Sequence, residues 1–486
     1  MSISQALGAA VSGLNVASRR AAVVSNNVSN ALTPGYARRE VSSAEKVVAG
    51  VGIGVEVASI DRAGNAALTA ARRAAEADST RDTIVADVQS QLSILLGGPE
   101  DQFSFFGTID SFEQSLSDLR EAPESATQQQ NSVVAAQQIV RVFNQTGAEN
   151  DRIRQQADNQ ITRIVSQLNE TIDQINTLND EISAAGFANR DTSALEDQRQ
   201  RLIDDVSKAI PVKEVPLGDG KLGLITNEGV FVLSNKPELL EFTPSIVVGP
   251  LDTLANGGVS GLSINGVDIT PGSDAALAVQ GGELAAQFIV RDEITVEFGA
   301  QLDALAADLI ERFSDPLNDP TLTGGAPGLF TDNGAALASP FDAGLSRRIA
   351  VNDAVVAENG GDAWRLRDGI GAAAQGVTGN SAIVSSMLDG LREPRTINAA
   401  GFAAQASSVD AAAEFTSLRA GASLNADTRA STSSARSAGL IEDELATTAV
   451  DTDAELQKLL VIEQSYAANA RVISVVDSLL QRLLEI

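Results

Sequence analysis

The sequence contains no cysteine and no histidine. The first absence excludes disulfides, thiolate metal sites and cysteine nucleophiles. The second removes the usual general base, the Ser-His-Asp triad and every His-ligated zinc or haem site. Aromatic residues make up 4% of the 486 residues, with one Trp and two Tyr. A core so poor in large side chains suits long helices packed through small residues. Bases are also scarce: 35 Lys and Arg against 64 Asp and Glu give a net charge of −29. A phosphate backbone demands a basic surface, so no nucleic-acid partner is expected. No apolar run reaches the roughly 20 residues of a membrane span, so no membrane partner is expected either. The first 18 residues carry no charge and lack the cationic start of a secretory signal peptide. These absences predict a soluble chain, either cytosolic or exported by a route that needs no such peptide.

Hydrophobic residues make up 43%, enough for a real core. The clearest patterns lie at the two ends. Ile3, Leu7, Ala10, Leu14, Ala17, Ala21, Val24, Val28 and Ala31 recur in steps of four and three, a heptad seam. Near the other end, one row holds Leu459, Tyr466, Ile473 and Leu480, and a second holds Ile462, Asn469, Val476 and Leu483. Asn469 is the polar member of these rows, and a lone seam asparagine is expected to set register. Residues 1–39 carry four Arg and no acid, whereas 451–486 carry six acids against three bases. Helices of opposite sign can pair with each other; two separate amphipathic helices on one globular core would read the same way.

Between the ends the grammar changes several times. After "SNNVSNALTPGYARR" (25–39) comes "GVGIGVEVASIDR" (50–62). Its G-x-G-x-G spacing is not the dinucleotide fingerprint and no Lys adjoins it, so it reads as a hairpin arm. Helical patterns cover 64–96 and 110–120, with Gly97, Gly98 and Pro99 marking a loop. A long Gln- and Asn-rich helix spans about 128–185. Ser193 and Glu196 have capping-box spacing at the start of a helix that stops before Pro211. From Pro211 to Gly282 the period is two, with hairpin turns at Asn227-Glu228-Gly229 and Asn265-Gly266. Helix returns at Glu283, with Phe298, Leu302, Leu305, Leu309 and Phe313 on one side. Short elements fill 314–400, where Trp364 reads as core, and helix returns at about 402–445.

No constellation asks for catalysis. The carboxylate pairs Asp204/Asp205 and Glu442/Glu444 read as solvated helix faces. "SDPLNDP" lacks the calcium-loop spacing. No enzyme activity, cofactor or metal is expected.

These residues resemble a known family. "SNNVSNALTPGYARR" resembles the N-terminal signature of the flagellar axial proteins, the rod, hook and hook-associated family. Ser29 and Leu32 stand where commoner forms have Ala and Asn. "EQSYAANARVISVVDSLLQRLLEI" is similar to the C-terminal signature. "LEDQRQRLIDDVS" (195–207) and the helix from "GGELAAQFIV" onward are similar to segments of that family's hook–filament junction members. The run before the last helix, "TTAVDTDAE", departs from the usual Gly-Val-Asn-Leu-Asp-Glu-Glu, and 211–281 and 314–400 carry little family signal.

The resemblance implies a mainly α fold with inserted β-rich domains. Terminal helices (1–39 and 450–486) would pair as a coiled-coil-like inner base. A helical domain would comprise 40–210, 283–313 and 402–449, with a β-rich outer insertion at 211–282 and a loop-rich one at 314–401. It implies a non-enzymatic structural part of the bacterial flagellum, exported through the flagellar type III apparatus to the extracellular hook–filament junction. The implied partners are further copies in a ring, hook protein, the next junction protein and an export chaperone. The implied assembly surface comprises Ile3, Leu7, Leu14, Val24, Asn26, Asn27, Val28, Asn30, Pro34, Gly35 and Tyr36 at one end. At the other it comprises Leu459, Ile462, Tyr466, Asn469, Arg471, Ile473, Val476, Leu480 and Leu483. In packed helices, Asn26, Asn27 and Asn30 would hydrogen-bond across subunits, with Arg38 and Arg39 facing acidic neighbours. The alternatives are a hook or distal-rod protein with similar ends, a peptidoglycan hydrolase on a rod-like scaffold, and a secreted adhesin.

Overall fold

The computed structural model describes residues 3–48, 51–98, 101–188, 190–338, 340–403 and 405–484. Pro99, expected in a loop, lies outside them. The chain divides into two compact units. The first comprises Met1–Ala77, Gln167–Leu239 and Ser433–Ile486; the second comprises Asp78–Ser166 and Leu240–Thr432.

The first unit holds both chain ends. Helix α1 (Ile3–Ser29) runs into a hairpin of β1 (Arg39–Val48) and β2 (Val51–Arg62). Helix α2 (Ala66–Leu96) begins here and continues into the second unit, as α4 (Ala126–Phe187) and α10 (Ser408–Thr448) also contribute to both. Helix α5 (Ser193–Ala209) follows α4 and leads into the antiparallel sheet β3 (Val212–Gly218), β4 (Lys221–Thr226) and β5 (Phe231–Leu233). The final helix α11 (Thr452–Leu484) packs against α1. Ile172, Ile175, Leu178 and Ile182 of α4 are buried, as are Ile203 and Val206 of α5.

The capping box expected from Ser193 and Glu196 does not form. Thr192 is the N-cap residue and its hydroxyl donates to Glu196 at 2.7 Å, while Ser193 donates its hydroxyl to Asp191 at 2.7 Å. The hydroxyl and N–H of Ser193 hold the Asp191 carboxyl below its ordinary range, against the opposing effect of burial. Asp205 and Glu442 are exposed as expected, but Asp204 and Glu444 are half-buried and ion-paired. Arg72 pairs with Asp204 at 2.7 Å and with Glu76 and Glu444, and Arg73 pairs with Asp204 at 2.6 Å and Glu214 at 2.5 Å. This network ties α2 to α5, α10 and β3.

The second unit contains α3 (Phe105–Glu121), the short sheet β6 (Leu240–Glu241), β7 (Ser263–Ile264) and β8 (Val267–Asp268), then α6 (Gly282–Ile289). A π-helical turn over Val290–Ile294 joins α6 to α7 (Thr295–Ser314). Next come β9 (Phe330–Asp332) and β10 (Ile349–Val351), the one-turn α8 (Arg365–Asp368) and α9 (Ala382–Arg392). The period-two region is thus shared, with β3–β5 in the first unit and β6–β8 in the second.

The scarce aromatics concentrate in the second unit. Phe105 meets Phe143 edge-on at 4.9 Å, Phe313 meets Phe330 at 5.2 Å, and Phe298 meets Phe415 at 5.3 Å. Leu345, Leu366, Val384, Met387 and Leu391, from the stretch read as short elements, pack into this same core. Trp364 is only half-buried, with the Arg365 guanidinium 4.9 Å from its ring centre, rather than a core residue.

Burial pushes the carboxyls of Asp151, Glu283, Glu293, Asp308 and Glu311 up. Such groups bind protons more readily folded than unfolded, so their stabilising contribution is complete below about pH 4 and is lost as pH rises. Glu149 and Asp368 are held down by Arg152 and Arg367 and act only below that window. The melting midpoint read by Trp364 fluorescence, which reports this unit alone, is therefore expected to be lower at pH 7 than at pH 4.5. A midpoint that rises over this interval contradicts the burial of these acids.

Candidate assembly interface

Helices α1 and α11 meet along one face of each. On α11 the inward row is Glu455, Ile462, Asn469 and Val476, with Ile473 beside it; Glu455 and Val476 are buried and the others half-buried. On α1, Ala10, Val16, Ala17, Val23, Val24 and Asn27 are buried, while Ile3, Leu7, Leu14 and Val28 are half-buried. A fully buried valine contributes about 1.5 kcal/mol or more, so a seam this rich in Ala and half-buried residues is thin. Isolated helices of this kind are marginal in water.

Among the described residues, Asn469 does not hydrogen-bond across the seam. Its side-chain amide donates back to the Ser465 carbonyl of its own helix at 3.0 Å. It sits over Gly13, where an added Cβ would lie 2.9 Å from the Asn469 Cγ. Glycine at 13 leaves the room that the Asn469 side chain occupies.

The other side of α1 rests on the hairpin. Ser12 Oγ donates to the Ala9 carbonyl at 2.8 Å and accepts the Val55 N–H at 3.1 Å. Gly54, at φ +146°, lies against Ser12 so closely that a Cβ would collide with its hydroxyl. Gly54 thus serves close approach of the strand to α1, in keeping with the hairpin arm expected there.

The opening signature closes a polar junction. Thr33-Pro34-Gly35-Tyr36 turns the chain, with the Tyr36 N–H donating to the Thr33 carbonyl at 3.1 Å. Pro34 and Gly35 are exposed, and Gly35, at φ +74°, leaves room for Arg201 of α5. Asn27 is wholly buried. Its Nδ2 donates to the Arg39 carbonyl and to Glu455 Oε2, both at 2.9 Å. Its Oδ1 accepts from the Tyr36 hydroxyl at 2.8 Å and from the Arg39 N–H at 3.0 Å. Both donors and both acceptors of the amide are used. Burial pushes the Tyr36 hydroxyl up, ahead of the opposing pull of Arg39.

Around this amide, Asp197 receives Arg39 at 2.8 Å and Arg62 at 2.6 Å, holding both ends of the hairpin to α5. The Arg38 N–H donates to the Thr448 carbonyl at 2.9 Å at the end of α10. Asp451 caps α11 by accepting the N–H groups of Asp453 and Ala454. Asn27 therefore has no hydrogen-bonding capacity left for a neighbouring subunit, and Arg39 faces Asp197 of its own chain. Asn26 is exposed, and half-buried Asn30 donates to the Asn26 carbonyl at 2.9 Å. Glu455 and Asp197 were not among the residues expected here. Glu455 falls one heptad before Ile462, which was the available signal.

The second α11 row faces outward. Leu459 is 38%, Tyr466 50% and Leu480 39% exposed, and Arg471 is exposed as well. The side chain of Leu483 lies outside the described residues. Leu460, Val461, Val472, Val475 and Leu479 are also exposed. An open groove of about 570 Å³ runs between Val23 and Val24 of α1, Val41 of β1, and Val461 and Ile462 of α11. These side chains leave α11 with an exposed apolar surface in the single chain. Among the described residues no cluster could hold a metal ion, and no helix is long and apolar enough to cross a membrane.

Both chain ends fold into one base and leave an apolar helix face open, the build of a structural protein rather than of an enzyme. Three family models match along the chain. They are the flagellar hook-associated protein FlgK helical domain over residues 89–328, the flagella basal body rod protein over 7–36, and the flagellar basal body rod FlgEFG protein C-terminal over 444–486. The chain belongs to the flagellar rod, hook and hook-associated axial family, whose members are structural proteins rather than enzymes. It is 31% identical over 232 residues to flagellar hook-associated protein 1 of Salmonella typhimurium, a stretch covering 45% of this chain and 40% of that protein. It is 23% identical over 488 residues to flagellar hook-associated protein 1 of Bacillus subtilis, covering 94% and 93%. The solved flagellar hook junction protein FlgK from Burkholderia pseudomallei overlays with a TM-score of 0.43 at 21% identity, covering 56% of this chain and 47% of that one.

Proposed function

We propose that this chain is a structural subunit of the junction between flagellar hook and filament, self-assembling through its terminal helices. The observation that carries the reading is the base itself: α1 and α11 pair along one α11 row and leave a second apolar row outward. In a ring of copies that row and the groove beside α1 are covered by the next subunit. The ordering cost of two thin helices is then met by burial between subunits. The family's rod and hook members share such ends, but the match over 89–328 is to the hook-associated helical domain, which favours the junction. Hook protein below, the next junction protein above and an export chaperone before assembly complete the proposed partners. Export through the flagellar type III apparatus places the chain outside the cell.

Immunogold labelling of intact flagella tests this. Label confined to the hook–filament boundary is expected; label along the whole hook would assign the chain to the hook instead.

A further inference from the structure

Apolar packing alone does not choose how α11 lies on α1. The α1 seam is largely alanine and valine, and α11 carries exposed Leu and Val on more than one face. A slide of one turn would exchange one set of aliphatic contacts for another. Two features resist such a slide. Asn469 fills the space above Gly13, where a one-turn shift would bring Ser465 or the branched Ile473. More stringently, the fully used amide of Asn27 finds its acceptor in Glu455, itself 1% exposed, whose other oxygen takes Lys458 at 2.7 Å. A one-turn shift in either direction puts Leu459 or Asp451 opposite Asn27. Leu459 offers no acceptor, and Asp451 is already committed to capping α11. Either slide leaves a buried amide donor of Asn27 and one oxygen of the buried Glu455 carboxylate unpaired.

We infer that Asn27, through its hydrogen bond to Glu455, sets the register of α11 on α1 and so decides which α11 residues remain outward for a second copy. Asn469 contributes fit over Gly13, and the hydrogen-bond selection is made 14 residues earlier on α11. The last step rests on the assembly role proposed above; the register step does not. Tyr36 and Arg39 hold the amide from the opposite side, so the TPGY turn positions the register residue. This gives the opening signature an intrachain task.

The absence of native cysteine allows a direct test on the full-length chain. A Cβ at position 13 would lie 2.9 Å from the Asn469 Cγ, so Gly13→Cys with Asn469→Cys brings two Cβ atoms within the ~4.5 Å a disulfide spans. Gly13→Cys with Ile473→Cys, made together with Asn469→Ala to clear the space above position 13, reports a one-turn slide. In a redox buffer, peptide mass spectrometry is expected to find the 13–469 disulfide and little 13–473. Adding Asn27→Ala is expected to lower the 13–469 yield at least threefold and raise 13–473. Asn27→Asp, which sets a carboxylate against Glu455, is expected to do the same. Combining Asn27→Asp with Glu455→Gln restores the donor–acceptor pair across the seam with reversed polarity, though not the bond to the Arg39 carbonyl, and is expected to recover part of the original yield. An unchanged 13–469 yield in both single variants overturns the inference. So does a loss that the double variant fails to recover, since Asn27 would then only fill space. Labelling of flagella carrying the same variants, under reducing conditions, reads assembly separately. Register control without junction labelling would sink the assembly role and leave the register inference standing.

Discussion

Replacing Asp158 by alanine is expected to destabilise the second unit by about 3 kcal/mol, the low end of the range for breaking a buried ion pair. Arg291 is wholly enclosed and donates to Asp158 at 2.8 Å, to Asp292 at 2.8 Å and to the Ser260 carbonyl at 2.9 Å. Its guanidinium also lies 4.7 Å from the Phe288 ring centre. The other Asp158 oxygen accepts the Ser245 N–H at 2.9 Å. Removing the carboxylate leaves Asp292 as the remaining anion and strands Ser245. Asp292 keeps the loss below the upper end of the range. Beside Asp158 on α4, Arg154 holds the carbonyls of Arg291, Gly249 and Asp252, so the loop leading into β7 hangs on polar contacts. Asp158→Asn, which keeps an acceptor for Ser245, is expected to cost less. Urea unfolding followed by Trp364 fluorescence measures both; equal midpoints for wild type and Asp158→Ala would show the pair to be structurally idle.

The second large effect concerns assembly. Replacing Leu459, Tyr466 and Leu480 together by serine is expected to abolish incorporation at the hook–filament boundary. All three lie on the outward row, so the inward seam of Glu455, Ile462, Asn469 and Val476 is untouched. Each loses an aliphatic or aromatic surface that a neighbour would bury, at about 25 cal/mol per Å². Summed over every interface of the proposed ring, the deficit is multiplied. The isolated chain should remain folded, melting only somewhat below the wild-type temperature, because each side chain is also partly covered within the chain. Motility, filament attachment and immunogold labelling read the outcome; normal labelling with all three serines would show that the row is not an interface.

The heptad spacing at both ends was legible because helical periodicity is a local property: α1 and α11 appear where the seams run. The hairpin turns at Asn227-Glu228-Gly229 and Asn265-Gly266 were legible for the same reason. Gly229, Asn265 and Gly266 all take positive φ, which turn residues supply. Asp197 illustrates what was not. In the sequence it is one acid among 64, inside a motif known only by resemblance. Its role exists because Arg39 and Arg62 arrive from 158 and 135 residues away. Asn469 was misleading in a different way. A polar residue in a seam can bond across it or back along its own helix, and periodicity does not distinguish the two.

The sequence by itself determined the class of this protein. Lacking His and Cys, strongly acidic, and heptad-patterned at both ends, it specifies terminal helices with a narrow apolar seam and offers no familiar catalytic set. Its end signatures specified the family. Only the tertiary structure decided what those signatures do. It spent the amide of Asn27 inside the chain, joined it to Glu455 across 428 residues, and turned Leu459, Tyr466 and Leu480 outward. The physical reason is that periodicity fixes which face of a helix is apolar. Which apolar row is covered is fixed by the buried polar groups that must find partners, and those partners are distant in sequence.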